Sequence, residues 1–144
     1  MQNCSLTKWK TVAPLMLCFS VLLSASAFAQ SSDDRKPAIV ITSAPTDPPG
    51  ERIAREPIKG IVKGVNLQEY RVVVYALGGD TWWVQPLANK PLTMIADDGN
   101  WRTSTHGGTE FAALLVKASF KPEPQLGSRP DAGGEIVAVA YKSP

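Results

Sequence analysis

The chain has 144 residues, 44% of them hydrophobic, with 15 Lys and Arg, 13 Asp and Glu, and one histidine. Lys8 and Lys10 are the only charges before Asp33, so without residues 1–29 the chain carries 13 basic against 13 acidic groups and is neutral. Neutrality excludes an electrostatic nucleic-acid binder and a polybasic membrane-surface protein, both of which need clustered Lys and Arg. The length excludes a multidomain chain, since one domain takes about 100–200 residues.

Residues 1–29 read as a secretory signal peptide. Lys8 and Lys10 form the basic start, residues 12–23 are apolar apart from Pro14 and Ser20, and Ala27-Phe28-Ala29 supplies a small-x-small cleavage site. The apolar run is shorter than the roughly 20 residues needed to cross a hydrocarbon core, so no membrane span is expected after cleavage. Leu15-Met16-Leu17 before Cys18 lacks the small residues that precede a lipidated cysteine. Both cysteines, Cys4 and Cys18, leave with this segment, so no disulfide, thiolate metal site or cysteine nucleophile is expected in the exported form. An exported domain without disulfides fits a bacterial periplasmic or secreted protein better than a eukaryotic extracellular one.

Residues 30–37 begin polar and charged and are expected to form a disordered linker, with the folded domain over 38–144. Residues 38–42 (AIVIT) form a β-branched first strand, closed by the Pro48-Pro49-Gly50 turn. Residues 58–65 (IKGIVKGV) form a second strand whose Gly60 and Gly64 imply bulges or a close backbone approach. Residues 70–77 (YRVVVYAL) are apolar on both faces, which predicts a central strand covered on both sides. A short hairpin at Gly78-Gly79-Asp80 returns through residues 81–85 (TWWVQ), stopped by Pro86. Residues 92–95 form a short strand. The turn at Asp97-Asp98-Gly99-Asn100 needs a positive φ at Gly99, and residues 101–104 return from it. Residues 110–117 (EFAALLVK) have helical propensity, but Gly107-Gly108 before them and Pro122 and Pro124 after leave room for about one strand. Residues 134–141 (GEIVAVAY) form the last strand. Seven or eight short strands separated by Gly and Pro turns predict an all-β chain, an antiparallel immunoglobulin-like β-sandwich.

In order, the chain carries Ile41-Thr42-Ser43-x-Pro45, Gly60-x-Val62-x-Gly64-Val65, residues 70–75 (YRVVVY), Trp82-Trp83-x-Gln85-Pro86, Thr93-x-Ile95, Asp98-Gly99-x-Trp101 and residues 111–116 (FAALLV). This set resembles a poorly characterised group of bacterial exported β-sandwich modules that occur alone or attached to larger secreted proteins, including carbohydrate-active ones. More distantly, the Asp98-Gly99-x-Trp101 turn, Gly108-x-x-Phe111 and Phe120-Lys121-Pro122 resemble transthyretin-like carboxypeptidase-regulatory modules. The Asp–Gly spacing is shorter here, and Ser119 stands before Phe120. The resemblances imply a fold class and bring no catalytic residue to this chain.

Trp82 and Trp83 are adjacent on one strand, so their side chains take opposite faces. Trp82 shares its face with Val84; Trp83 shares its own with Thr81 and Gln85, and the polar company marks Trp83 as the outward indole. An exposed indole beside the Gln85 amide suits a sugar, whose apolar ring face stacks while its hydroxyls bond the amide. The alternative is that proline-rich loops bury both indoles, as aromatics dominate cores. Tyr75 and Trp101 are candidates to extend a stacking platform, although a cross-strand aromatic pair needs no further reason to exist.

No catalytic or metal site is expected. His106 stands alone in Thr105-His106-Gly107-Gly108, without a second His or any Cys, and no nucleophile elbow accompanies it, so it reads as a loop histidine. Asp97-Asp98-Gly99-Asn100 lacks the alternating acidic ligands of a calcium loop and reads as a turn. Glu56, Glu69 and Glu110 form no recognisable acid/base pair. The sequence thus predicts a non-enzymatic exported module without cofactor. It would bind polysaccharide or an envelope glycan through Trp83, Gln85, Tyr75 and Trp101, or else dock a protein partner through a sheet edge or apolar patch.

Overall fold

The computed structural model describes residues 36–46 and 55–144. The expected signal peptide, most of the expected linker, and the Pro48-Pro49-Gly50 turn lie outside the described residues. Among the described residues no helix is long and apolar enough to cross a membrane.

Among the described residues nine strands form where β-branched and aromatic residues alternate between turn residues. They are β1 (Ala38–Ser43), β2 (Glu56–Lys63), β3 (Tyr70–Gly78), β4 (Thr81–Gln85), β5 (Leu92–Thr93), β6 (Asn100–Thr105), β7 (Glu110–Lys117), β8 (Gln125–Leu126) and β9 (Ile136–Lys142). A 3-10 turn over Leu67–Glu69 precedes β3, capped by Asn66, whose side chain accepts from the Gln68 backbone N–H. All pairings are antiparallel. One sheet runs β1-β2-β6; the other runs β8-β4-β3-β7-β9, with β5 also paired to β3. The protein is an antiparallel β-sandwich. The strand that sequence periodicity does not supply is the two-residue β8.

The small sheet packs over β9, β7 and β3. Ile39 and Ile41 of β1, Ile58 and Val62 of β2 and Trp101 of β6 meet Val72, Val74 and Ala76 of β3 and Phe111, Ala113 and Leu115 of β7. β7 is buried at every position from Phe111 to Val116, which is why its helical propensity is overridden: alternate residues feed two different cores.

The second core lies on the far face of the large sheet. Val73, Tyr75, Trp82, Val84, Ala112, Leu114 and Val116 are buried there, with Phe120, Leu126 and Tyr141 packed against them. Its cover is the irregular segment 118–135. β8 within it pairs with β4, setting Leu126 opposite Trp82, and the Val84 amide donates to the Pro124 carbonyl at 3.0 Å. Two tyrosines pin the segment from below. The Tyr75 hydroxyl donates to the Glu123 carbonyl at 2.8 Å, and the Tyr141 hydroxyl donates to the Pro130 carbonyl. Trp82 and Tyr141 meet edge to face at 6.3 Å. Outside, Arg129 stacks on the Tyr141 ring and pairs with Glu110 at 2.6 Å. β3 is therefore covered on both sides, as its apolar pattern predicts.

Burial beneath this segment, and the nearby Glu123 carboxylate, push the Tyr75 hydroxyl up to about 12 from 10.0. A raised value means the folded state keeps a proton that the unfolded chain gives up. The stabilisation is complete below about pH 10 and is lost as pH rises towards 12. Stability should fall by about 1–2 kcal/mol across that window in Tyr75, and Tyr75→Phe should flatten its share of the decline, read by urea denaturation at alkaline pH. A Tyr75→Phe profile as steep as wild type would show that the hydroxyl is not held in this way.

Candidate functional site

Because the small sheet is three strands wide, β4 and β8 extend past its β6 edge, and the face of β4 that would otherwise be core is left open. A groove of about 770 Å³ occupies this overhang, bordered by the 86–88 loop and by His106 and Gly107. Pro86 ends β4 through a cis Gln85–Pro86 bond. The chain then loops out between β4 and β5, which pair in succession along the same edge of β3.

Trp83 dominates the groove. It lies opposite Ala76 on β3, and its pyrrole edge runs 3.6 Å from where a Cβ on Gly78 would sit. These small neighbours give it no wall, and it is 49% exposed, against 4% for Trp82. The two indoles divide as the alternation predicts, Trp83 outward and Trp82 into the second core. Leu87, also exposed, lines the groove beside it.

Gln85 shares the face of Trp83 but does not offer its amide to a ligand. It is 4% exposed. Its Oε1 accepts from the His106 backbone N–H at 3.1 Å and lies 3.0 Å from His106 Nδ1, while its Nε2 donates to the Trp83 carbonyl at 3.2 Å. The amide is spent on joining β4 to the loop after β6. That loop is held against β3 at Gly108, where a Cβ would come 3.0 Å from the Leu77 carbonyl, and by the Thr109 amide, which donates to the same oxygen at 2.9 Å. His106, expected from sequence to be an idle loop residue, is thereby placed in the groove wall.

Tyr75 and Trp101 do not join this platform. Tyr75 lies opposite Val84 rather than either tryptophan, is 1% exposed, and faces the second core because its position on β3 alternates away from Ala76. Trp101 is 2% exposed. It points between the sheets because its neighbour in register is Gly60, whose missing side chain makes room for the indole. Its Nε1 is the buried side-chain polar atom left without a partner among the described residues.

The Asp97-Asp98-Gly99-Asn100 segment is a turn. Asp98 accepts from the Asn100 backbone N–H at 2.9 Å and from its side-chain amide at 2.6 Å. These bonds hold the Asp98 carboxyl below its usual range, and Gly99 takes φ +83°. Glu56, Glu69 and Glu110 stand on three separate elements. Glu69 accepts from the Asn66 amide and Glu110 pairs with Arg129. Among the described residues, no three His, Cys, Asp or Glu side chains gather to hold a metal.

The chain matches no known protein family, no curated protein and no solved structure.

Proposed function

We propose that the protein is an exported, non-enzymatic binding module that holds a carbohydrate or cell-envelope polymer in the groove beside Trp83. The observation that carries this reading is the half-exposed indole in an open groove on the large sheet. Removing large apolar surface from water is worth about 25 cal/mol per Å², so an indole left in solvent on an otherwise buried strand forgoes stabilisation that a stacked pyranose would restore.

The reading is tested by tryptophan fluorescence during titration with soluble polysaccharides and peptidoglycan fragments. In protein prepared without residues 1–29, and so without Trp9, the other two indoles, Trp82 and Trp101, are buried, so a saturable blue shift reports Trp83 entering a dry contact. Trp83→Ala should abolish that response and any retention on the polymer, while the thermal midpoint stays near that of wild type, since surface substitutions usually change stability by no more than about 0.5 kcal/mol. Emission that no polymer perturbs would sink the proposal.

A second reading, docking of a protein partner, draws on a different place. Val40 and Met94 are 54% and 62% exposed, and Met94 lines a shallow cavity of about 460 Å³ with Thr42, Lys59 and Arg102 on the small sheet. A specific protein recovered in pull-downs by wild type and lost with Met94→Asp, without retention on glycans, would favour it.

A further inference from the structure

We infer that His106, fixed in one tautomer by Gln85, is the polar contact of the groove and that the ligand is an uncharged saccharide. The inference rests on the glycan reading of the groove.

The tautomer follows from which atoms can donate. A backbone N–H only donates, so the Gln85 atom facing the His106 N–H at 3.1 Å is the carbonyl oxygen. The same oxygen lies 3.0 Å from Nδ1. Two acceptors cannot share a hydrogen bond, so Nδ1 carries the proton and donates. A neutral imidazole has one N–H, which leaves Nε2 with a lone pair. Nε2 has no hydrogen-bond partner among the described residues, yet it does not count with the buried unpaired polar atoms. It is therefore not sealed off, on a half-buried residue that lines the groove. Both lone pairs of Gln85 Oε1 are engaged, so Gln85 acts through the histidine as a positioning residue.

The ligand class follows from the described lining of the groove, an indole, small and apolar residues and one imidazole. Among the described residues that line it, none is charged, and His106 is the one titratable group. A carboxylate or phosphate entering would shed water and meet no counter-charge. A neutral pyranose meets what is present: its apolar face on the Trp83 indole and a hydroxyl donating to His106 Nε2. Protonation of the ring would convert that acceptor into a donor and put a positive charge in the groove, moving preference toward anionic saccharides.

The chain has one histidine, so untagged protein labelled with 15N at histidine gives a single imidazole spectrum. The expected tautomer carries its proton on Nδ1 and leaves Nε2 unprotonated. The Nε2 signal should shift when one of soluble starch, β-glucan, xylan or galactomannan is added, and polygalacturonate should bind more weakly. His106→Ala should lower affinity for that polymer about tenfold, the loss of about 1.4 kcal/mol. Gln85→Glu keeps both acceptor contacts but stabilises the imidazolium. It should weaken binding of the uncharged polymer, because a protonated Nε2 no longer accepts. If Gln85 were merely structural, polymer binding would be unchanged in this variant.

An Nε2–H tautomer in wild type, or polygalacturonate bound as tightly as any uncharged polymer, overturns this inference and leaves the Trp83 site standing. If no polymer binds wild type at all, the glycan reading falls and this inference with it.

Discussion

Trp82→Ala is expected to lower stability by about 3–5 kcal/mol, the range for truncating a large buried aromatic. Trp83→Ala, the same chemical change one residue later, is expected to stay within about 0.5 kcal/mol. The difference comes from what each indole touches. Trp82 is 4% exposed, lies opposite Leu126 across the β4–β8 pairing and meets the Tyr141 ring at 6.3 Å. Removing it opens a cavity at the contact between the sheet and the 118–135 segment. That segment has only a two-residue strand of its own, so little regular structure holds it once the packing is lost. The total stability of a domain is about 5–15 kcal/mol, and the variant should melt at least about 10 °C lower. Calorimetry of both variants decides it. Equal losses in the two would mean that β4 is not oriented with Trp82 inward.

The sandwich was legible because its cause is local. Residues 70–77 and 110–117 are apolar on both faces, and flanking glycines and prolines limit each to one strand's length. Two-sided apolarity also announced that something must cover the outer face of the large sheet. What covers it was not legible: segment 118–135 is rich in Pro, Gly and charge, and such composition reads as a loop. Its role depends on a few spaced anchors, Phe120, Leu126 and the carbonyls of Glu123 and Pro130. Such anchors have no period and so leave no pattern in the sequence.

The groove was half legible. Alternation alone separated Trp82 from Trp83, because Val84 and Gln85 mark opposite faces. The same polar company misdirected the reading of Gln85: a glutamine beside an exposed indole suggests a ligand contact, whereas here a backbone N–H and an imidazole 21 residues away in sequence occupy its oxygen. His106 reads from sequence as a loop histidine because a lone histidine ligates nothing recognisable. The signal beside it was Gly107-Gly108, a pair that lets the backbone lie close against β3. Tyr75 and Trp101 failed as platform residues for one reason: aromatic type is visible in a sequence, but the face it takes depends on strand register.

Gly60→Ala tests the one place where two strands and an indole compete for the space of a methyl group. Gly60 of β2 sits between Ile41 of β1 and Trp101 of β6 in register. A Cβ there would lie 1.8 Å from the Val40 carbonyl oxygen and 2.6 and 2.8 Å from the indole carbons Cζ2 and Cε2 of Trp101. Neither obstacle is the free end of a flexible side chain. One is backbone in a paired strand, and the other is a ring 2% exposed between two sheets. Overpacking a core costs typically 1–3 kcal/mol, and two simultaneous clashes place this variant at about 3 kcal/mol or more. The strain should leave by the edge, since β1 is paired on one side only. Amide exchange should therefore accelerate in β1 well before it does in β3 and β7. The double variant Gly60→Ala, Trp101→Leu separates the two clashes. Shortening the indole relieves contacts at Cζ2 and Cε2 but leaves the Val40 oxygen in place, so stability should recover only in part and β1 should stay loosened. Full recovery would place all of the strain on the indole, and no loss in the single variant would mean that β1 does not approach Gly60 as closely as its backbone position requires.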